Sequence, residues 1–148
     1  MSAQIYLKQD NKWKPFELGT AETKQILEEK NIVIHSSANI SEGVKIGDGV
    51  SIDKNVQIHK NVQIREFVCI HEASVIHKFV YLGTKTVVGQ NSVICKGSVL
   101  WKSVIVGDKS FIGEFTRIGE GVILGKEAQI HDFTEIKNDL SFKIGVDV

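Results

Sequence analysis

Aliphatic residues recur along this chain with a step of six. From Ile34 they read Ile34, Ile40, Ile46, Ile52, Ile58, Ile64, Ile70, Ile76, Leu82, Val88, Ile94, Leu100, Val106, Ile112, Ile118, Leu124, Ile130 and Ile136, eighteen in succession without a slip of phase. Two residues before each stands a second column, from Ile32, Ala38 and Val44 to Val122, Ala128 and Thr134, that holds only small or β-branched side chains. Six is not a helical period. Residues two apart point to one face of a strand, so each hexad reads as a short strand with one bulky and one small inward side chain, followed by a turn. A fixed short period signals a solenoid, and a hexapeptide period signals a parallel β-helix. Three hexads make a triangular coil, and the eighteen hexads make six coils. Stacked at about 4.8 Å each, the coils form a prism on the order of 30 Å tall.

The pattern divides the chain into residues 1–31, the solenoid 32–137 and a tail 138–148. Residues 3–8 and 13–18 read as two short extended segments joined by a turn at Asp10-Asn11. Pro15 confines its segment to a sheet edge. Thr20 is the expected N-cap of a helix, with Thr23 three residues on and Glu22 in the first turn. That helix runs to about Lys30, turns Ile26 and Leu27 inward, and covers the open first coil, which is otherwise an exposed β-edge. After Ile136 the pattern reads as ending. Asn138-Asp139 supplies a turn and Leu140–Val146 a last extended segment, which covers the last coil, runs back along a wall or crosses to a neighbour. No hexad is lengthened by a loop, so any site is built from coil surfaces alone, between subunits.

The residue before each aliphatic points outward. On one wall that column reads Val33, Ser51, Cys69, Val87, Ile105, Ile123, with Val75, Val93 and Phe111 on the adjoining wall and Phe79, Phe115 and Phe133 along an edge. Apolar columns of this kind mark covered surface. They are expected to be contacts of a homotrimer; the alternative is cover by the hairpin or the tail of the same chain.

Charge adds mainly exclusions. Acidic and basic residues balance at 18 each, so nothing favours nucleic acid or an anionic membrane surface. No apolar run approaches a membrane span and residues 1–10 lack a signal-peptide core, which makes cytoplasm the expected compartment. The two cysteines, Cys69 and Cys95, fall on different faces at eighteen-residue spacing and build no disulfide framework.

All five histidines occupy one repeat position, directly after the inward aliphatic: His35, His59, His71, His77 and His131. At eighteen-residue spacing His59, His77, Cys95 and His131 share a vertical column, and His35 and His71 share another with Asp53 between them. Neighbours in a column stand about 5 Å apart. Such a ladder can be plain side-chain stacking, as cross-strand pairs stack. Arg65 and Trp101, in the third column, look like surface stacking of that kind.

The segments Ile46-Gly47-Asp48-Gly49-Val50-Ser51, Val106-Gly107-Asp108-Lys109-Ser110-Phe111 and Ile118-Gly119-Glu120-Gly121-Val122-Ile123 resemble the unit of the hexapeptide-repeat proteins, and the likeness spans about 106 of 148 residues. The resemblance implies a left-handed parallel β-helix and a homotrimer. Hexapeptide acyltransferases bind acetyl-CoA or acyl-CoA along the cleft between two subunits. By that resemblance a histidine is the general base, with His77 first, then His59 and His71, and His131 (followed by Asp132) behind them. Asp53 is placed to orient an imidazole. Val75-Ile76-His77 also resembles a stretch of the γ-class carbonic anhydrases, but Gln90 and Cys95 stand where that family has histidines. A zinc site made from His59, His77 and Cys95 is the low-ranked metal reading. The leading expectation is CoA-dependent acyl transfer to a small amine or hydroxyl acceptor at an intersubunit site. A non-catalytic trimeric scaffold comes second and the γ-carbonic-anhydrase-like metal site third.

Overall fold

The computed structural model describes residues 3–142 and 145–148. Lys143 and Ile144, part of the expected last segment, lie outside the described residues.

Asp10 and Asn11 both adopt left-handed φ, 53° and 62°, the backbone of a two-residue hairpin turn. They join strand β1 (Gln4–Gln9) to strand β2 (Lys12–Glu17), antiparallel, with Tyr6 opposite Pro15. Strand β2 is the outer edge of its sheet, where a proline forfeits no shared ladder. Strand β1 also runs parallel to Lys45–Ile46, as a strand of a preceding coil would, and buries Ile5 and Leu7 completely. The hairpin therefore caps one wall of the first coil by direct pairing.

Helix α1 (Ala21–Glu29) starts at the expected cap: the Thr20 hydroxyl accepts from the Thr23 N–H at 3.2 Å. Thr23 is buried, and Ile26 and Leu27 pack on the core.

The solenoid follows as two-residue strands on three walls. Wall I begins with Val33–Ile34, wall II with Asn39–Ile40 and wall III with Lys45–Ile46. Each wall gains a parallel strand every eighteen residues, as in Ile58, Ile76, Ile94 and Ile112 on wall II. The bulky inward column is a buried core from Ile40 to Ile136. Where the small inward residue is serine or threonine, its hydroxyl is used. Ser92 donates to the Gly107 carbonyl at 2.9 Å and accepts from the Ser110 N–H at 3.1 Å; Ser98 does the same for Gly113 and Thr116. At the corners, every sixth residue from Gly43 to Gly145 has φ between 52° and 79°. At Gly97 a Cβ would meet the ring of Phe115 one coil on, which would have to turn aside.

The six-residue step does not end at Ile136. Ser141–Phe142 pairs in parallel with Ile123–Leu124 on wall I, and Asp147 bridges to Gln129 on wall II. The boundary read at residue 137 is thus not the end of the stacking. Phe142 and Val148 take the aliphatic positions of a seventh turn; the aromatic at Phe142 hid the continuation.

Neither the hairpin nor the described part of the tail lies over the apolar columns. Val33, Ile105 and Ile123 on wall I are 63%, 41% and 43% exposed. Among the described residues no helix is long and apolar enough to cross a membrane.

Candidate functional site

Each strand ends on its buried aliphatic, so the next side chain leaves the prism at a corner. At the corner between walls II and III, three such residues rise in succession: His59 after Ile58, His77 after Ile76 and Cys95 after Ile94. The registered strands beneath fix their spacing. The rings of His59 and His77 stack with centroids 5.0 Å apart and planes at 16°. With Lys78, Lys96 and Glu114 they line a cleft of about 460 Å³.

The cleft sets protonation. Burial and the neighbouring His59 push the His77 imidazole below its ordinary value, against a smaller pull upward from Glu114. Burial, then Glu114 and Asp132, push the Cys95 thiol up. At neutral pH the arrangement therefore offers a neutral imidazole able to accept a proton, beside a thiol that keeps its own.

His71 is elsewhere. It lies at the corner between walls I and II, in a separate recess of about 280 Å³ with Asp53, Glu72, Gln90 and Asp108. Its Nε2 sits 3.6 Å from Cys69 Sγ. Asp53 shares that recess with His71, and its Oδ1 accepts from the Lys54 N–H, while His35 Nδ1 bonds the Ser37 hydroxyl; no hydrogen bond from Asp53 to an imidazole is present among the described residues. His131 pairs with Asp147, 2.5 Å away, while Asp132 accepts from the Glu114 N–H. Of the three histidines favoured by sequence, two come together and one does not. Among the described residues no three His, Cys, Asp or Glu side chains converge as a metal ion needs. Within one subunit, His59, His77 and Cys95 form a column rather than a ligand set.

Lys78 and Lys96 are the site residues that the sequence reading passed over. Their column, one residue after the histidines, reads Glu42, Lys60, Lys78, Lys96, Glu114, Asp132. The run of three lysines was visible at eighteen-residue spacing. None of the three has an ion-pair partner among the described residues.

No protein-family model matches the sequence, and no curated protein matches it. Solved structures do. The acetyltransferase domain of PglB from Neisseria gonorrhoeae, in complex with acetyl coenzyme A, matches with a TM-score of 0.73 at 17% identity, over 81% of this chain and 61% of that one. A mutant of perosamine N-acetyltransferase from Caulobacter crescentus, in complex with CoA and GDP-perosamine, matches with a TM-score of 0.71 at 21% identity, over 86% of this chain and 63% of that one. The chain has the hexapeptide-repeat fold. At these identities the likeness is one of fold. The hexapeptide-repeat chain described here spans about three fifths of the length of both matched chains, 61% and 63%. Both neighbours are acetyltransferases holding a CoA-type molecule.

Proposed function

We propose that this chain transfers an acyl group, acetyl in the first instance, from CoA to a small amine or hydroxyl acceptor, in the cytoplasm. The observation that carries the reading is the stacked pair of His59 and His77 with Lys78 and Lys96 beside it in one cleft. The fold shared with two CoA-holding acetyltransferases supports it.

In this reading His77 is the general base. As the acceptor nitrogen or oxygen attacks the thioester carbonyl, its proton passes to the free ring nitrogen of His77. The tetrahedral intermediate then expels the CoA thiolate, which takes that proton. His59 acts through His77, since a second imidazole at 5.0 Å disfavours the charged form of the first. Lys60, Lys78 and Lys96 present three ammonium groups to the phosphates of CoA. The cleft is shallow in one subunit. The exposed apolar column of wall I, and Phe115 and Phe133, whose rings stack at 5.8 Å on the same corner as the histidines, support completion by a neighbour in a homotrimer.

The test begins with acetyl-CoA as ligand. It should raise the unfolding midpoint, by about 2.7 kcal/mol of stabilisation at a hundredfold excess over Kd. Free-thiol release from acetyl-CoA should then appear with a member of an amino-sugar and polyol panel and vanish in His77→Asn. If acetyl-CoA leaves the midpoint unmoved, the reading fails. A non-catalytic scaffold, favoured by the absence of any loop extruded from the coils between Val33 and Ile136, then takes its place.

A further inference from the structure

The far end of wall III carries features that the histidine cleft does not use. The column at its corner with wall I reads Gly47, Arg65, Gly83, Trp101, Gly119, Lys137. Trp101 is 48% exposed, unusual for the side chain with most to gain from cover. The side of the indole toward the coil before is taken. Tyr81 packs there with centroids 5.7 Å apart and planes at 55°, and its hydroxyl accepts from Arg65 at 3.4 Å. The side toward the coil after is open. Successive coils approach so closely at Gly119 that a Cβ would meet Asn138, so the position directly after Trp101 in the column has no side chain. Arg117 is the outward residue of that coil, as Tyr81 is of the one before, yet among the described residues it makes no cation–π contact with the indole. The next side chain in the column is Lys137, two coil steps or roughly 9.6 Å from Trp101. One ring in van der Waals contact on both faces needs about 7–8 Å, so a single ring fits this notch.

The notch belongs to a groove of about 340 Å³ whose lining includes Trp101, Arg117, Glu135, Lys137 and Asn138. Its polar groups are little used by the protein itself. Glu135 stands in register beside Arg117, but among the described residues none of Arg117, Glu135 and Lys137 has an ion-pair partner. Asn138 Oδ1 accepts the Glu120 N–H at 2.9 Å, and its amide nitrogen remains to donate. The backbone is open here as well. Along wall III each corner N–H donates to the next coil, as Gly119 does to the Ile136 carbonyl at 2.7 Å. Strand Glu135–Ile136 is the last of that sheet, so among the described residues the Lys137 N–H has no carbonyl above it.

We infer that this notch is a second ligand site, which lays one sugar ring on the open side of Trp101 and takes a carboxylate carried by that ring at Arg117 and Lys137. The chemical class is a sugar acid, a hexuronate. The C–H groups on one side of a pyranose ring suit the negative face of an indole, and a carboxylate suits the guanidinium fork. Two cations against the one carboxylate of Glu135 leave a single positive charge for the ligand to meet. The remaining polar groups decide against a flat aromatic acid. An apolar ring would cover Glu135 and Asn138 without pairing them, whereas ring hydroxyls donate to the first and accept from the second. The groove has the volume such ligands use. The site stands across wall III from the histidines and does not depend on acyl transfer.

The chain holds two tryptophans. Trp13 lies in strand β2, at the opposite edge of the sheet, so Trp13→Phe makes Trp101 the sole indole reporter without touching the notch. Titrated with glucuronate, this variant should show a saturable change in Trp101 emission. Glucose should bind about tenfold more weakly, the loss expected when charge-assisted hydrogen bonds go. Adding Arg117→Gln should weaken glucuronate about tenfold and leave glucose unchanged. On the unaltered chain, saturation-transfer NMR should show the C–H protons of bound glucuronate against the protein, and Trp101→Ala should remove that signal. Emission unmoved at about 50 mM glucuronate, where a site of millimolar Kd is nearly full, would overturn the proposal. So would equal affinity for glucuronate and glucose with no effect of Arg117→Gln. Benzoate bound as tightly as glucuronate would make the notch a site for flat acids and overturn the assignment to a sugar.

Discussion

His77 is governed by what surrounds it. Its pKa is lowered, first by burial and then by His59, with Glu114 pulling weakly the other way. A base must be neutral to work, so activity should rise with pH through a value below the ordinary imidazole pKa of about 6.5 and stay flat above it. His77→Asn should remove that limb and lower kcat by about 10²–10⁴-fold, the usual worth of a positioned base, with the unfolding midpoint nearly unchanged. The same lowered pKa has a stability consequence. Between the folded value and about 6.5 the unfolded chain binds more protons, so the contribution of His77 is lost as pH falls through that window. His59→Gln takes away the neighbouring imidazole, and the His77 imidazole resonance should then titrate at higher pH in an NMR series. An unmoved resonance would mean that burial alone sets the shift. At this scale the sequence was legible wherever eighteen-residue spacing was applied. It placed His59 beneath His77, and the same arithmetic one residue on would have found Lys78 and Lys96. It could not pair His131 with Asp147, because that contact depends on how the tail returns to wall II.

Strands here are two residues long, too short to hold themselves, and the elements survive because each coil templates the next. Legibility at this scale follows the same division. A period of six with apolar residues two apart dictated strand, corner and coil, and the Thr20 cap and the Asp10-Asn11 turn were local chemistry readable in place. The parallel seat of β1 on Lys45–Ile46 was not readable, since nothing local says which coil an outlying strand joins. Inside the prism, the serines of the small column carry a burden that a count of apolar residues misses. The Ser92 hydroxyl bridges the Gly107 carbonyl and the Ser110 N–H, both inside the stack. Ser92→Ala leaves that donor and that acceptor without their hydroxyl partner. The expected loss is about 1–3 kcal/mol for each buried group left unpaired, seen as a lower urea midpoint with the m-value unchanged. Ser92→Val, which fills the volume and matches the valines elsewhere in the column, should not restore it. A neutral Ser92→Ala would mean that water enters the corner and takes over both bonds.

For the whole molecule the question is what covers wall I. Its outward column keeps Val33, Ile105 and Ile123 between 41% and 63% exposed, and the described parts of the hairpin and tail extend sheets rather than lie across this face. An exposed apolar column of this kind marks an interface, and a triangular prism can meet two copies of itself through adjoining walls. Phe115 and Phe133 share the histidines' corner in each copy; in the proposed trimer wall I of a neighbour covers that corner, so assembly and chemistry would stand or fall together. Ile105→Glu with Ile123→Glu tests this directly. Both side chains point away from the core, on strands whose inward partners Val106 and Leu124 stay buried, so the coil should fold. A carboxylate forced into a dry interface without a partner costs about several kcal/mol per subunit, enough to dissociate a trimer at micromolar concentration. Sedimentation should then give a monomer with an unchanged far-UV spectrum, and acetyl transfer should fall with it. His77→Asn should remain a trimer of inactive subunits. A double glutamate variant that still sediments as the parent does would place the interface on another wall. One that becomes monomeric yet keeps full activity would show that a single corner, with its own histidines and lysines, suffices for the reaction.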